Sequence, residues 1–246
     1  MCNTCDREAC NVHGPTRILL RQSVPQQNPS DVTALGLDGM EVVRPADETY
    51  HVRRETREAA AEVGLHFGDR REPRLATTLA FFDHMLEMLC WYAGITLDVD
   101  FEVKTFRLTH VVCEDVGLAL GAAVQQAVRD RIPGGVESVG EAHGIMDEAL
   151  AFAMVSFEGR ARCQIGRGGA AANEHVEDML AADLVAFFEG FVQGARATVW
   201  LDVLKADDPH HAWEAAFRAF GRALRFSIAP NSWRAGLTAG VKGTLD

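Results

Sequence analysis

The chain has 246 residues, enough for one large domain or two small ones, and either size buries a core without needing disulfides. Asp and Glu total 35 against 24 Lys and Arg, so the formal net charge of −11 repels polyanions and argues against nucleic acid or an anionic membrane as partner. A local phosphate pocket stays compatible with that field. The composition, 48% hydrophobic and 24% charged, is that of a globular protein. No apolar run reaches the roughly 20 residues of a membrane span, and the polar start MCNTCDREACNVHG has no signal-peptide core. The expected location is cytoplasmic.

In a reducing compartment, clustered thiols suggest metal before disulfide. Cys2, Cys5, Cys10 and His13 read C-x2-C-x4-C-x2-H, a spacing that can wrap one tetrahedral zinc. The bland alternative is a terminus with incidental thiols. Pro15, Pro25, Pro29 and Pro45 punctuate residues 14–47, which read as an extension and linker. The domain boundary is placed near residue 48, with a core of two repeats, about 48–146 and 147–246.

Residues 51–67 alternate as a strand pair, with a turn at Gly68-Asp69. Residues 80–93 carry helical periodicity, 95–103 alternate as a half-buried strand, and 112–129 form an Ala/Val/Leu-rich helix. The cysteines in these helices, Cys90 and Cys113, read as small core side chains. Residues 150–165 again alternate, 178–194 are helical, 197–204 form a strand and 210–228 a helix. GRGGAA at 166–171 lacks the spacing of a phosphate loop and reads as a flexible surface loop.

The two halves repeat at an offset of one hundred: Asp83 with Asp183, Gly94 with Gly194, His110 with His210, Glu114 with Glu214. This predicts an α+β fold of duplicated half-domains, each a small mixed sheet backed by two helices.

HHAWE at 210–214 places His210 and Glu214 four apart, on one helix face, where both can hold one ion. His211 points about 100 degrees away and should serve another ion or another subunit. His110 and Glu114 repeat the spacing. Imidazole with carboxylate suits manganese, zinc or iron. His84, in FFDHML, is by itself an ordinary core histidine and gains weight from this context. Trp213 reads as a helix-packing residue; His143 and His175 read as solvated surface histidines.

Together, RRETREA (53–59), FFDHML (81–86), THVVCED (109–115), MDEAL (146–150), EGRA (158–161), HHAWEA (210–215) and VKG (241–243) resemble the imidazoleglycerol-phosphate dehydratase family of histidine biosynthesis. The resemblance covers roughly residues 50–246. It implies two half-domains of a ribosomal-protein-like fold, subunits assembled into a large hollow homo-oligomer, and manganese at subunit interfaces. Its implied ligands are His84, His110, Glu114, His210, His211 and Glu214. Glu58, Glu114 and Glu214 would be catalytic; Glu58, Arg160 and Lys242 would contact a small-molecule substrate that loses water.

The sequence departs from that pattern. Val111 replaces the second histidine of the first motif, and Trp200 stands where a strand histidine is expected. The favoured arrangement joins His84, His110 and Glu114 with His211. On the phosphate side, Glu137 and Ser138 fall where an Arg is expected, and Gly240 and Val241 precede Lys242 in place of two hydroxyl residues. Losing an Arg fork removes bidentate anion recognition. Two alternatives therefore stand beside the dehydratase: a metalloenzyme of the same fold acting on a different small molecule, and an inactive cage-forming scaffold.

Overall fold

The computed structural model describes residues 32–34, 40–43, 48–172, 174–241 and 243; Cys2, Cys5, Cys10, His13 and Lys242 lie outside the described residues. The first half contains β1 (Val32–Ala34), β2 (Met40–Val43), β3 (Thr49–Glu55), β4 (Ala59–His66), β5 (Arg74–Ala76), α1 (Ala80–Ala93), β6 (Thr96–Val103) and α2 (Thr109–Arg131). The second contains β7 (Val139–Met146), β8 (Ala149–Ser156), β9 (Arg162–Arg167), the short strands β10 (His175–Val176) and β11 (Met179–Leu180), α3 (Ala181–Ala195), β12 (Thr198–Lys205) and α4 (Pro209–Ser227).

The sheets carry the duplication. One runs β1-β2-β3-β4-β6-β5 and the other β7-β8-β12-β9. In each, the last strand joins its neighbour in parallel while the other pairs are antiparallel. Because β2 pairs with β3, the first sheet extends to the N-terminal side of the expected boundary at 48. Gly68, at φ 113°, turns the chain between β4 and β5 as expected.

The repeat is not uniform in offset. The helices bearing His-x3-Glu begin at 109 and 209, one hundred apart, but β6 and β12 begin at 96 and 198. Gly94 caps α1 in the left-handed conformation, and Arg196, not Gly194, does so for α3. Counted from these caps, the buried positions 81, 82, 85, 86, 89, 90 and 93 of α1 fall on 183, 184, 187, 188, 191, 192 and 195 of α3, all buried. On that alignment His84 corresponds to Ala186.

Helices of the two halves meet across the middle, α2 against α3 and α1 against α4. The α2–α3 contact is close because glycines line it. A Cβ on Gly117 would lie 2.2 Å from the Phe187 carbonyl oxygen, and one on Gly190 would lie 2.3 Å from that of Glu114. Between α1 and α4, Gly221 is looser, its nearest neighbours 3.0–3.2 Å away. Fully buried Phe187, Phe188, Phe191, Phe217 and Phe220 fill the middle, each worth about 1.5–3 kcal/mol of burial. By length and apolarity alone α2 could cross a membrane, but 89% of that stretch is buried inside the fold, as in a core helix. The 166–171 segment is not a loose loop: it finishes β9 and enters a short 3-10 turn, with Ala171 buried and Gly169 seated on the Ala206 carbonyl.

Candidate metal centre

α4 starts at a sequence built to start a helix. Asp208 is its N-cap, accepting from the backbone N–H of His210 at 2.7 Å and of His211 at 3.2 Å, and Pro209 occupies the first turn. A cap of this kind contributes about 1 kcal/mol. Glu148, from the turn between β7 and β8, accepts from the N–H groups of Asp207 and Asp208 at 3.2 and 3.0 Å. The start of α4 is thus fixed, and His210 and Glu214 fall on the face turned toward α1.

α1 brings His84 to that face. Nε2 of His84 lies 3.4 Å, and Nε2 of His210 3.3 Å, from the same oxygen, Oε2 of Glu214. The two imidazoles are 5.5 Å apart between centroids, and Phe81 packs edge-on against His210 at 5.0 Å. All three donor atoms lie within 4.8 Å of one another, the one such group among the described residues. Glu214 is buried at 5% side-chain exposure, whereas His84 and His210 are open at 36% and 33%. The ring nitrogens therefore face accessible space across a sunken carboxylate.

Glu214 is held ionised. Burial works to raise its pKa, but the hydrogen bond and charge of Arg218, with a further contribution from His84, bring it below the ordinary carboxylate value. Arg218 takes Oε1, and its other nitrogen donates to the Ile145 carbonyl at 2.8 Å. One carboxylate oxygen is occupied and the other faces two histidines. Two imidazole nitrogens and one carboxylate oxygen form a borderline donor set that fits a divalent transition ion.

The remaining candidates are placed elsewhere. His211 turns away, its Nδ1 donating to Glu148 at 2.8 Å. The pairing raises the pKa of His211 and holds Glu148 down to about 2. His110 is exposed and Glu114 half-buried, and among the described residues no third ligand joins them in a cluster. His84 thus groups with His210 and Glu214, not with His110, Glu114 and His211 as favoured from sequence. Glu58 sits exposed in the β3–β4 turn and Arg160 exposed between β8 and β9, neither within the cluster. Trp200 is about half exposed, its indole N–H donating to Asp202 at 2.6 Å. Glu137 is engaged by Asn231 at 2.6 Å and by Arg234, so its acid ties down the C-terminal segment. Trp213 is fully buried, and Cys90 and Cys113 are buried in the core as expected. His143 is exposed with its ring tilted against Phe152 at 5.1 Å, and His175 is exposed.

A family model described as imidazoleglycerol-phosphate dehydratase matches residues 77–224, more than half of the chain. The chain belongs to the imidazoleglycerol-phosphate dehydratase family. A relative of that name from Azotobacter vinelandii is 33% identical over 202 residues, covering 81% of this chain and 100% of the relative. One from Methylibium petroleiphilum is 34% identical over 200 residues, covering 79% and 96%. The crystal structure of the Pyrococcus furiosus enzyme of the family matches with TM-score 0.65 and 27% identity, over 78% of this chain and 98% of that one. That of the Staphylococcus aureus dehydratase, at 24% identity and TM-score 0.65, matches in fold over 74% and 99%. The family is one of hydro-lyases in histidine biosynthesis. The matched span contains His84, His110, Glu114, His210, His211 and Glu214, while Glu58 and Lys242 fall outside it.

Sequence reasoning missed two contributors. Arg218 is the fourth residue after Glu214, a helical spacing visible in the sequence. Glu177, whose Oε1 lies 2.9 Å from Nδ1 of His210, comes from a distant turn and carries no local signal.

Proposed function

We propose that this chain is a metal-dependent hydro-lyase that eliminates water from a small imidazole-type substrate, with imidazoleglycerol phosphate as the first compound to assay. The observation that carries this reading is the convergence of His84, His210 and Glu214 from two helices on one point. Family membership supplies the reaction class. Manganese is the first ion to test, with zinc and iron as competitors of similar donor preference. When bound, such an ion acts as a Lewis acid that stabilises negative charge developing on the substrate. His84 and His210 would hold it through Nε2 and Glu214 through Oε2. Arg218 keeps the carboxylate ionised and aimed.

Self-association into a large homo-oligomer belongs to the proposal. Among the described residues His110, Glu114 and His211 find no ligand cluster, and a neighbouring copy is their natural complement. Exposed Ile145, Met154, Trp200 and Leu204 provide apolar surface for assembly to cover. The Cys2, Cys5, Cys10 and His13 set remains a proposed separate zinc site.

A second reading, the same chemistry on a different and unphosphorylated small molecule, is favoured by Glu137. An acid bound to Asn231 and Arg234 occupies the place where an anion-binding Arg is expected. Elemental analysis of the purified full-length protein, followed by turnover assays with imidazoleglycerol phosphate, tests both. Metal with turnover supports the dehydratase. Metal without turnover supports the changed substrate. Assembly with no metal after reconstitution leaves only the scaffold.

A further inference from the structure

The two helices that carry the cluster are tied together by one short turn. β10 and β11 form a two-residue antiparallel ladder joined by Glu177 and Asp178. Asp178 accepts from the backbone N–H groups of Ala80 at 2.9 Å and Phe81 at 3.1 Å, at the start of α1. The N-cap of α1 is Leu79, which offers no side-chain cap, so this distant carboxylate satisfies donors that the local sequence leaves open. His84 follows one turn later. The adjacent carboxylate, Glu177, reaches the other helix and meets Nδ1 of His210 at 2.9 Å.

A carboxylate only accepts, so Nδ1 of His210 is the protonated nitrogen. In the neutral ring the lone pair is then on Nε2, which is the nitrogen 3.3 Å from Glu214. Glu177 achieves this from a left-handed backbone at φ 47°, a conformation that glycine adopts freely and glutamate does not. Glycine would suit this position better by backbone alone, yet the residue there carries the carboxylate that meets the ring.

We propose that Glu177 is a positioning residue for the metal centre: it fixes the tautomer and ring orientation of His210, while Asp178 in the same turn fixes the start of the helix bearing His84. The proposal rests on the reading of His84, His210 and Glu214 as a cation site. Outer carboxylates that orient a ligating histidine typically contribute about 10–100-fold in metal affinity.

The test is titration of the full-length protein with Mn²⁺ and with Zn²⁺ alone, against a competing chelator, paired with thermal unfolding of the metal-free protein. The reference is wild type, with His210→Ala to identify the centre. Glu177→Gly is expected to weaken binding about 10–100-fold without lowering the unfolding midpoint, because glycine relieves the left-handed backbone. Glu177→Gln, whose amide oxygen still accepts from Nδ1–H, is expected to restore most of the affinity. Unchanged affinity in Glu177→Gly, beside a clear loss in His210→Ala, would overturn the positioning role and leave the centre intact. A parallel fall in midpoint and affinity, with no rescue by Gln, would reduce Glu177 to a structural turn residue. Absence of binding in wild type would overturn the centre, and the role of Glu177 with it.

Discussion

α2 and α4 begin with the same chemical unit, His-x3-Glu, and end in different situations. On α4 the pair meets His84 of α1; on α2, which packs against α3, His110 is exposed and among the described residues no third ligand joins it and Glu114. The difference lies in the partner helices. Aligned by their left-handed caps, every buried position of α1 falls on a buried position of α3, and Ala186 stands at the position of His84. The spacing between helices differs as well. Gly117 and Gly190 let α2 and α3 touch backbone to backbone, whereas a Cβ on Gly221 of α4 would stand 3.0–3.2 Å from Tyr92 Cβ and the backbone of Leu89 and Ala93 in α1. The helix layer thus has one closely packed pair, α2 with α3, and one pair, α1 with α4, that brings three donor side chains together.

The strongest way to break this comparison is to remove ligands from each side. His210→Ala or His84→Ala should abolish tight divalent binding, exceeding the roughly 100-fold upper range of an outer partner. His110→Ala should reduce metal content less, and elemental analysis of the three proteins ranks them. Equal losses would show that the halves are equivalent in the assembled protein.

Packing is the next lever. Gly190→Ala forces a methyl to within 2.3 Å of a backbone oxygen, so α2 and α3 must separate. A cost of about 1–3 kcal/mol is expected, which lowers the midpoint of a chain this size by roughly 2–4 °C per kcal/mol. Gly221→Ala, with neighbours at 3.0–3.2 Å, should cost less. Thermal unfolding of the two variants reads the contrast directly.

The outer faces of the sheets extend the comparison. On the first sheet Asp98 accepts from His66 at 2.9 Å and from Arg71 and Arg74 at 2.9 Å each. Burial raises the pKa of its carboxyl, but the hydrogen bonds from His66 and Arg74 and the charges of both arginines outweigh that and hold it well below the usual range. A carboxyl depressed in the folded state binds fewer protons there than in the unfolded chain. Its stabilisation is therefore present above the unfolded pKa of about 3.9 and lost as pH falls toward the folded value. Asp98→Asn should destabilise the protein at neutral pH by about 1–2 kcal/mol, and its difference from wild type should shrink below about pH 4. A difference that persists undiminished in acid would place the effect in packing instead of charge.

The smallest expected effect is the most discriminating. Ala186→His supplies the missing third donor beside α2, and metal content should stay unchanged because the glycine contact leaves the helices too close. A rise by one ion would show that the ligand alone was lacking.

Much of this was legible in the sequence for identifiable reasons. α1, β6 and α4 announced themselves through clean periodicity, because each has one buried face and one wet face. The duplication was visible in the His-x3-Glu pairs, whose offset is one hundred. The two-residue drift was already present in the strand bounds read from sequence, 95–103 and 197–204, but the match of Gly94 with Gly194 hid it for the preceding helices, and the left-handed cap at Arg196 corrects that match. β7 escaped notice because its glycines, Gly140 and Gly144, sit directly under the backbone of α4 and break the apolar rhythm. The pairing of His84 with the second motif instead of the first is a tertiary fact: which helix lies beside which is not written in either motif.

The separation of the ligands in the chain has a consequence for biogenesis. His84 and Glu214 are 130 residues apart in sequence. A chain emerging from the ribosome can complete the first sheet and α2 long before α4 exists, and no product lacking α4 contains the three-residue cluster. Contacts of such long range form late because loop closure must precede them. On the proposed reading, metal loading would report that α4 has been made: a chain truncated ahead of α4 lacks both His210 and Glu214.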